Sequence, residues 1–340
     1  DAMAIDLHAH WIPKGLSAAL RSRKTAPMIE RRADGKEWLV AKIQNPLEDE
    51  FDDISGRLVE MDRNGITSGV LSLTTVWGVE ALPLEESLPL CRAFNDSASE
   101  LCVAYPDRFS AFAAVPNSDM TIAVQEFERA MNLPGMVGAL LPGDVFLSEK
   151  KAARVRPLME AANRHHALIL VHYGEIADDE RAKIDTSDNG LARVGTLDMQ
   201  AKLSSNMVTF CLTDYLTAFP NVTMLSHNLG GNIAFEIERM DHRALIARPN
   251  DEVPSAKFRR MKVFVDCNSF GARGIERAVD LYGADKIVFG TDGTDFGMKW
   301  SIDAVAEARI SDAEKEAILH GNAERILSRF TRQSVAAAAE

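Results

Sequence analysis

The sequence has little of several features that mark large protein classes. No apolar run approaches the roughly 18 residues that a membrane-spanning helix needs. Its four cysteines are widely spaced and form no Cys-x-x-Cys pair, which argues against a thiolate metal site and a disulfide framework. The first residues show no basic-then-apolar leader segment, so we expect a cytoplasmic protein that is not bound to a membrane.

Basic residues are also in deficit. The chain has 38 Lys and Arg against 50 Asp and Glu, a net charge of −12. An acidic surface repels phosphate backbones and anionic lipids, and no local basic run offsets it. Nucleic acid is therefore not an expected partner.

What the chain does contain is an alternation of short apolar strands with helix-patterned segments. Several of the candidate strands are apolar without alternation, which is typical of strands buried on both faces. The eight candidates are residues 4–8, 67–73, 109–115, 137–141, 167–172, 222–227, 262–266 and 286–290. This order predicts an α/β fold, a (β/α)8 TIM barrel, with an open doubly wound sheet as the alternative.

Two long segments interrupt this alternation. Residues 11–50 follow the first strand and contain a possible hairpin, 28–32 with 38–43, that turns at Asp34-Gly35. Residues 173–199 follow the fifth strand, are polar and lack clear periodicity. Because both follow strands, we expect both at the catalytic rim, where they could act as lids. The expectation is one domain over residues 1–335 and a frayed tail over 336–340.

The most informative motif is His8-Ala9-His10. In an extended strand, residues two apart point the same way, so two imidazoles face one point, as zinc and similar ions need. Alone, the pair would be an ordinary core or surface feature. However, His172 ends the fifth predicted strand, His227 ends the sixth, and Asp292 follows the eighth. These ends converge on one face of a closed barrel, so the sequence predicts a metal-dependent enzyme.

The order of these residues resembles the amidohydrolase superfamily. The stretches 226–231 and 238–242 are more narrowly similar to the branch of aminocarboxymuconate-semialdehyde and resorcylate decarboxylases. The stretches 57–62 and 289–292 are also similar to that branch, and the resemblance extends from residue 5 to about 327.

The chain departs from the branch at two places. Gly293-Thr294 replaces the Tyr-Pro or Trp-Pro that often follows the aspartate, and Asn228-Leu229 interrupts a glycine run. Both places border the substrate, so the resemblance does not fix the specificity.

The resemblance implies one divalent metal ion, most often zinc with manganese as an alternative, bound by His8, His10, His172 and Asp292. Members with two ions bridge them through a carboxylated lysine or a glutamate on the fourth strand, and residues 137–142 contain neither. A single ion is therefore favoured. The resemblance also implies a homodimer or homotetramer.

Further roles follow for individual residues. His227 is placed to act as general acid or base, and Asp292 would share protons besides binding the metal. Arg57 offers a planar fork for a substrate carboxylate. Arg239 matches an arginine that a partner subunit supplies in similar decarboxylases, although an ordinary surface ion pair is an equal alternative. Trp77 could pack on a planar substrate, or equally in the core or a lid.

Three functions fit this pattern. The first is a metal-dependent carboxy-lyase that acts on a small unsaturated or aromatic carboxylate. The second is a hydrolase that uses a metal-bound hydroxide on an amide, ester, lactone or carbon–carbon bond. Arg57 and the helix carrying Arg239 favour the first. The third, a barrel that keeps a metal only for stability, is disfavoured because structural zinc sites normally lie closed inside small folds.

Overall fold

A computed structural model of the chain describes residues 3–41, 44–47, 54–179, 184–293 and 297–337. The strands are β1 Ala4–His10, β2 Met28–Arg31, β3 Glu37–Val40, β4 Gln44–Pro46, β5 Ile66–Ser72, β6 Phe109–Ala113, β7 Met136–Pro142, β8 Leu168–His172, β9 Thr223–Ser226, β10 Phe264–Asp266 and β11 Ile287–Val288. β1 and β5 to β11 form one eight-stranded sheet in chain order, and its neighbouring strands pair in parallel. All eight predicted strands are present, with bounds that differ by a few residues.

Backbone hydrogen bonds close this sheet into a barrel. The amide of Leu7 donates to the carbonyl of Phe289 at 3.0 Å, and the amides of Thr291 and Asp292 donate to the carbonyl of His8 at 3.1 and 2.8 Å. These bonds join the last strand to the first, which is the closure that distinguishes a barrel from an open sheet. The predicted (β/α)8 barrel is confirmed.

Helices cover the outside of the barrel. They are α1 Lys14–Ser22, α2 Ile54–Arg63, α3 Leu84–Ala104, α4 Met120–Met131, α5 Glu149–Ala152, α6 Arg156–Arg164, α7 Gly190–Ala192, α8 Met199–Cys211, α9 Ile233–Ala247, α10 Pro254–Arg259, α11 Ala272–Tyr282, α12 Met298–Glu307, α13 Asp312–Glu316 and α14 Asn322–Ala337. In the described residues, no helix is long and apolar enough to cross a bilayer. The predicted tail, 336–340, begins in the last turn of α14, and its final three residues lie outside the described part.

The apolar core has two layers. The larger layer fills the space between the strands and the surrounding helices. A smaller cluster occupies the barrel interior and includes Leu7, Phe112, Leu170 and Val288. Ile326 of α14 packs against this cluster, so α14 contributes to the interior core. Because side chains fill the interior, chemistry is confined to the strand ends.

The segment after β1 contains the predicted hairpin. β2 pairs antiparallel with β3, and the turn at Gly35 has a φ of +81°, a conformation that favours glycine. A third strand, β4, extends this small sheet and was not predicted. Residues 42 and 43, at the end of the predicted hairpin, lie outside the described residues.

The segment after β8 differs from the prediction of an irregular loop up to residue 199. It is helical from Gly190, through α7 and π-helical turns at Arg193–Asp198, into α8. None of residues 190–198 is buried, and Leu191 is 86% exposed. Helical periodicity in a sequence reflects a buried face. A helix without a buried face leaves no such pattern, which explains why the prediction failed.

Candidate metal centre and active site

Three imidazoles and one carboxylate meet at the carboxyl end of the barrel. His8 and His10 come from the end of β1, His172 is the last residue of β8, and Asp292 follows β11. The Nε2 atom of His10 lies 3.1 Å from Nε2 of His8, 3.0 Å from Nε2 of His172 and 3.0 Å from Oδ1 of Asp292. All four potential ligand atoms lie within 4.8 Å of one another. The four predicted metal ligands therefore form one cluster.

The other ring nitrogen of each imidazole is already engaged. Nδ1 of His8 contacts Oδ2 of Asp266 at 3.0 Å, and Nδ1 of His10 contacts the hydroxyl of Ser72 at 2.9 Å. Nδ1 of His172 lies 2.9 Å from the carbonyl of its neighbour Tyr173. Such outer hydrogen bonds fix the ring orientation and keep the proton on Nδ1. The three Nε2 lone pairs are thereby left for a shared cation.

The donor set fits one divalent ion. Metal–nitrogen bonds of about 2.1 Å place neighbouring ligand atoms roughly 3.0–3.4 Å apart, and the separations around His10 lie in that range. Imidazole nitrogens with one carboxylate oxygen suit zinc, manganese, cobalt or iron. The geometry thus supports a single ion bound by His8, His10, His172 and Asp292.

The electrostatics of the cluster follow from its burial. Burial raises the pKa of Asp292, but hydrogen bonds from His10 and His8 outweigh it and hold that pKa well below its usual range. Burial lowers the pKa of His10. The pKa of His172 lies well below its usual value because of burial and the neighbouring His10 and His8. Burial also opposes the charged form of His8, but the Asp266 carboxylate dominates and raises its pKa to about 10. Among the protein groups alone, the cluster thus holds an ionised Asp292, neutral His10 and His172, and a protonated His8. A bound ion would displace the extra proton of His8, because metal ligands must be deprotonated.

His227 lies beside this cluster without joining it. Its ring stacks on His172 with centroids 4.1 Å apart, and its Nε2 accepts the backbone N–H of Tyr173 at 2.8 Å. Its Nδ1 is buried and has no hydrogen-bond partner among the described residues. Burial, reinforced by the nearby His172 and His8, lowers its pKa well below the usual value. The structure therefore favours a neutral ring that carries its proton on Nδ1.

The turn that presents Asp292 is strained and strongly bonded. Asp292 has a φ of +61°, in the left-handed region that non-glycine residues rarely occupy. Asp6 holds this turn, because its carboxylate accepts hydrogen bonds from the backbone N–H and the hydroxyl of Thr291. Burial raises the pKa of Asp6 to about 6, opposed by the Thr291 bond. Strain of this kind persists where the surroundings enforce it, often at functional sites.

Two residues of the site were not assigned from the sequence. Asp266, the last residue of β10, contacts His8, and its Oδ1 accepts the backbone N–H groups of Asn228 and Asn268. The side chain of Asn268 donates to Oδ2 of Asp292 at 3.2 Å. The signal for Asp266 was its position at a strand end, which it shares with His172. Asn268 carried no comparable signal.

Arg57 and Trp77 lie near the rim of the barrel. Arg57 on α2 is buried, and its Nη2 donates to the backbone carbonyl of His10. Trp77 is buried in the turn after β5, and Thr75 of the same turn contacts Nδ1 of His172. The structure thus brings Arg57 beside a metal ligand and places Trp77 in the turn that contacts His172.

Arg239 lies on the surface of the protein. It is exposed on α9, at the edge of a surface groove that Leu212, Met240 and Pro254 also line. Phe235 and Ile246 precede and follow it by four and seven residues, so the three share one helix face. Both are strongly exposed, at 55% and 65%. Arg239 is therefore part of an exposed helix face that also carries large apolar side chains.

This arrangement can bind and polarise an anionic substrate. A divalent ion stabilises negative charge on a substrate oxygen and can expand its coordination to accept that oxygen. The unpartnered Nδ1 of His227 offers a hydrogen bond beside it. Such a site supports either decarboxylation or hydrolysis.

Comparison with known proteins finds similar sequences and similar folds. The amidohydrolase family model matches residues 5–329. The chain is 26% identical over 287 residues to gamma-resorcylate decarboxylase of Rhizobium radiobacter, covering 79% of this chain and 85% of the relative.

Two solved structures share the fold. The apo form of Metarhizium anisopliae IDCase has a TM-score of 0.79 at 19% identity, covering 96% of this chain and 97% of that chain. A dihydroxybenzoic acid decarboxylase from Polaromonas sp. JS666, with bound manganese and the inhibitor 2-nitroresorcinol, has a TM-score of 0.72 at 20% identity. There the match covers 96% of this chain and 97% of that chain.

Proposed function

The chain belongs to the amidohydrolase family, and from this premise we propose that it is a metal-dependent decarboxylase. Its substrate is a small aromatic or unsaturated carboxylate. The observation that carries the proposal is the cluster of His8, His10, His172 and Asp292 with His227 stacked at its edge. The similarity to a gamma-resorcylate decarboxylase across most of both chains favours decarboxylation over hydrolysis.

The reaction breaks the bond between the substrate carbon and its carboxylate. The electron pair stays on that carbon, carbon dioxide leaves, and a proton takes its place. A bound divalent ion supplies a positive charge that orients the substrate and stabilises the charge that develops. The protein must then hold the carboxylate and move one proton.

We assign the proton transfer to Asp292 and the positioning of the substrate to His227. The backbone N–H of Tyr173 donates to Nε2 of His227. If Nε2 were also protonated, its N–H would point at the N–H of Tyr173, so the doubly protonated ring is unfavourable. A neutral imidazole donates a hydrogen bond readily but gives up its last proton only at great cost. His227 therefore orients the substrate through Nδ1, while the ionised Asp292 carboxylate takes up a proton from solvent water and passes it to the carbon that loses carbon dioxide.

Arg57 and Trp77 are the proposed substrate-binding residues of the same chain. The bond from Arg57 to the His10 carbonyl holds its guanidinium next to the metal ligands, where a planar fork suits a carboxylate. Trp77 sits in the turn that contacts His172, from which an indole could pack on a planar ring.

We propose that Arg239 completes the site from a partner subunit in a homodimer or homotetramer. Phe235 and Ile246, exposed on the same face of α9, supply apolar surface for that contact. Burying such side chains in an interface is favourable, and aromatic residues and arginine are enriched there.

The metal is zinc or manganese. The zinc expected from the sequence and the manganese bound by the Polaromonas decarboxylase both suit three imidazoles and a carboxylate. Elemental analysis of the purified protein would identify the ion. The cytoplasmic location stays a prediction.

The proposed activity is tested with a panel of ortho-hydroxy aromatic acids and labile esters. Carbon dioxide release and incorporation of labelled water oxygen are measured side by side, with metal-stripped protein as the control. We expect carbon dioxide from at least one acid, only with metal, and strongly reduced release by His227→Asn. Hydrolysis of esters without carbon dioxide release from any acid would overturn decarboxylation in favour of the hydrolase alternative.

A further inference from the structure

The two oxygens of Asp292 have different partners. Oδ1 faces the ring nitrogens, 3.0 Å from Nε2 of His10 and 3.5 Å from Nε2 of His8. Oδ2 accepts a hydrogen bond from Nδ2 of Asn268 at 3.2 Å. A carboxylate on its own can rotate and bind an ion through one oxygen or two. A donor fixed on Oδ2 removes that freedom.

Asn268 is itself held on several sides. It is fully buried after β10, and its backbone N–H donates to Oδ1 of Asp266 at 2.9 Å. Its side-chain amide also donates to Oδ1 of Asn228 at 3.0 Å. The other oxygen of Asp266 contacts Nδ1 of His8. Asp266 and Asn268 therefore connect a metal ligand on the first strand to the ligand that follows the last.

We propose that Asn268 is a positioning residue that holds Asp292 so that it binds the metal through Oδ1 alone. Single-oxygen binding leaves more of the coordination sphere open to substrate, as a catalytic site needs. The inference rests on the proposed metal site but not on the reaction. Hydrogen bonds to ligands typically change metal affinity by about 10–100-fold when removed, and Asn268 makes such a bond from a buried position.

The chain offers a matched control in Asn322. This asparagine is also buried, and its Nδ2 donates to the carbonyls of Ala284 and Ile287 at 2.8 and 2.7 Å. Ile287 begins β11, whereas Asp292 lies beyond the end of that strand. Asn322→Ala thus removes a buried amide of the same type at the opposite end of the barrel. It should reduce stability without affecting the metal.

The experiment compares Asn268→Ala, Asn268→Ser and Asn322→Ala with the unaltered protein. Manganese is added to metal-stripped protein without substrate, and its affinity is measured by chelator competition. The electron paramagnetic resonance spectrum of the bound ion reports its coordination. We expect Asn268→Ala to bind manganese about 10–100-fold more weakly with an altered spectrum. Asn268→Ser, which keeps a short donor, should fall in between, and Asn322→Ala should match the unaltered protein.

Three outcomes would overturn the proposal. The first is manganese affinity in Asn268→Ala within about twofold of the unaltered protein, since typical losses are at least tenfold. The second is an equal loss in Asn322→Ala. The third is failure of both Asn268 variants to fold while Asn322→Ala folds, which would make Asn268 a structural residue. Because no substrate is present, failure of the decarboxylase assay would leave this result intact.

Discussion

Glu80 gives a quantitative prediction about stability. It lies in the segment between β5 and α3, is 2% exposed, and neither carboxylate oxygen has a hydrogen-bond partner in the described part of the chain. Burial raises its pKa from 4.5 to about 8. The folded protein therefore holds this carboxyl protonated at neutral pH, whereas the unfolded chain releases the proton.

The sign and size of the effect follow from linkage. Because the folded pKa is raised, stability is fully present below about 4.5 and is lost as the pH rises towards 8. Each pKa unit corresponds to about 1.4 kcal/mol. A pH of 7 is about 2.5 units above the pKa of Glu80 in the unfolded chain, so the free energy of unfolding has fallen by on the order of 3 kcal/mol. It levels off above pH 8 at about 5 kcal/mol.

The perturbation is Glu80→Gln, which has a similar shape and cannot ionise. Urea unfolding followed by tryptophan fluorescence, in steps between about pH 5 and pH 9, gives the stability difference between variant and unaltered protein. We expect this difference to move in favour of the variant by about 1.4 kcal/mol per pH unit up to pH 8 and then to stay constant. Glu160→Gln, at a 51% exposed side chain, is the control and should show no such slope. A difference independent of pH would refute a protonated Glu80.

Three further predictions concern the metal centre and the subunit contact. Asp266→Ala should weaken manganese binding by about 10–100-fold in a chelator competition, because Nδ1 of His8 loses its partner; unchanged affinity would contradict this. Removal of the metal by a chelator should abolish activity, and zinc or manganese should restore it; activity in metal-free protein would exclude the proposed mechanism. Arg239→Ala and His8→Ala should each be inactive alone. When equal amounts of the two variants exchange subunits, half of the dimers contain one subunit of each, and each such dimer has one complete site of two. The mixture should therefore recover about a quarter of normal activity. Absence of recovery, or full activity of Arg239→Ala alone, would remove Arg239 from the site.

The barrel and its metal ligands could be predicted because both leave local signals. Strands buried on both faces are continuous apolar runs, and β8 shows this in every residue up to His172. Metal ligands at strand ends are polar residues in apolar surroundings, and the spacing of His8 and His10 reflects the period of a strand.

The contacts around the ligands could not be predicted in the same way. Asp266 and His172 both end a strand. Only the three-dimensional packing shows that Asp266 contacts the ligand His8, whereas His172 itself belongs to the ligand cluster. Asn268 lies 24 positions from Asp292 in the sequence, and its amide reaches that carboxylate because the chain turns sharply after β10. Short-range patterns carry no information on such pairings.

The closure of the barrel has a consequence for biosynthesis. The first two ligands lie on the first strand of the barrel, whereas Asp292 follows the last strand, 282 positions after His10. A nascent chain therefore cannot assemble the centre until β11 and the turn after it have left the ribosome. His8 and His10 lie on the first strand and Asp292 follows the last, so an ion bound by all three would link the two strands. Loss of a bound metal would remove this link and leave the backbone hydrogen bonds to hold the first and last strands together.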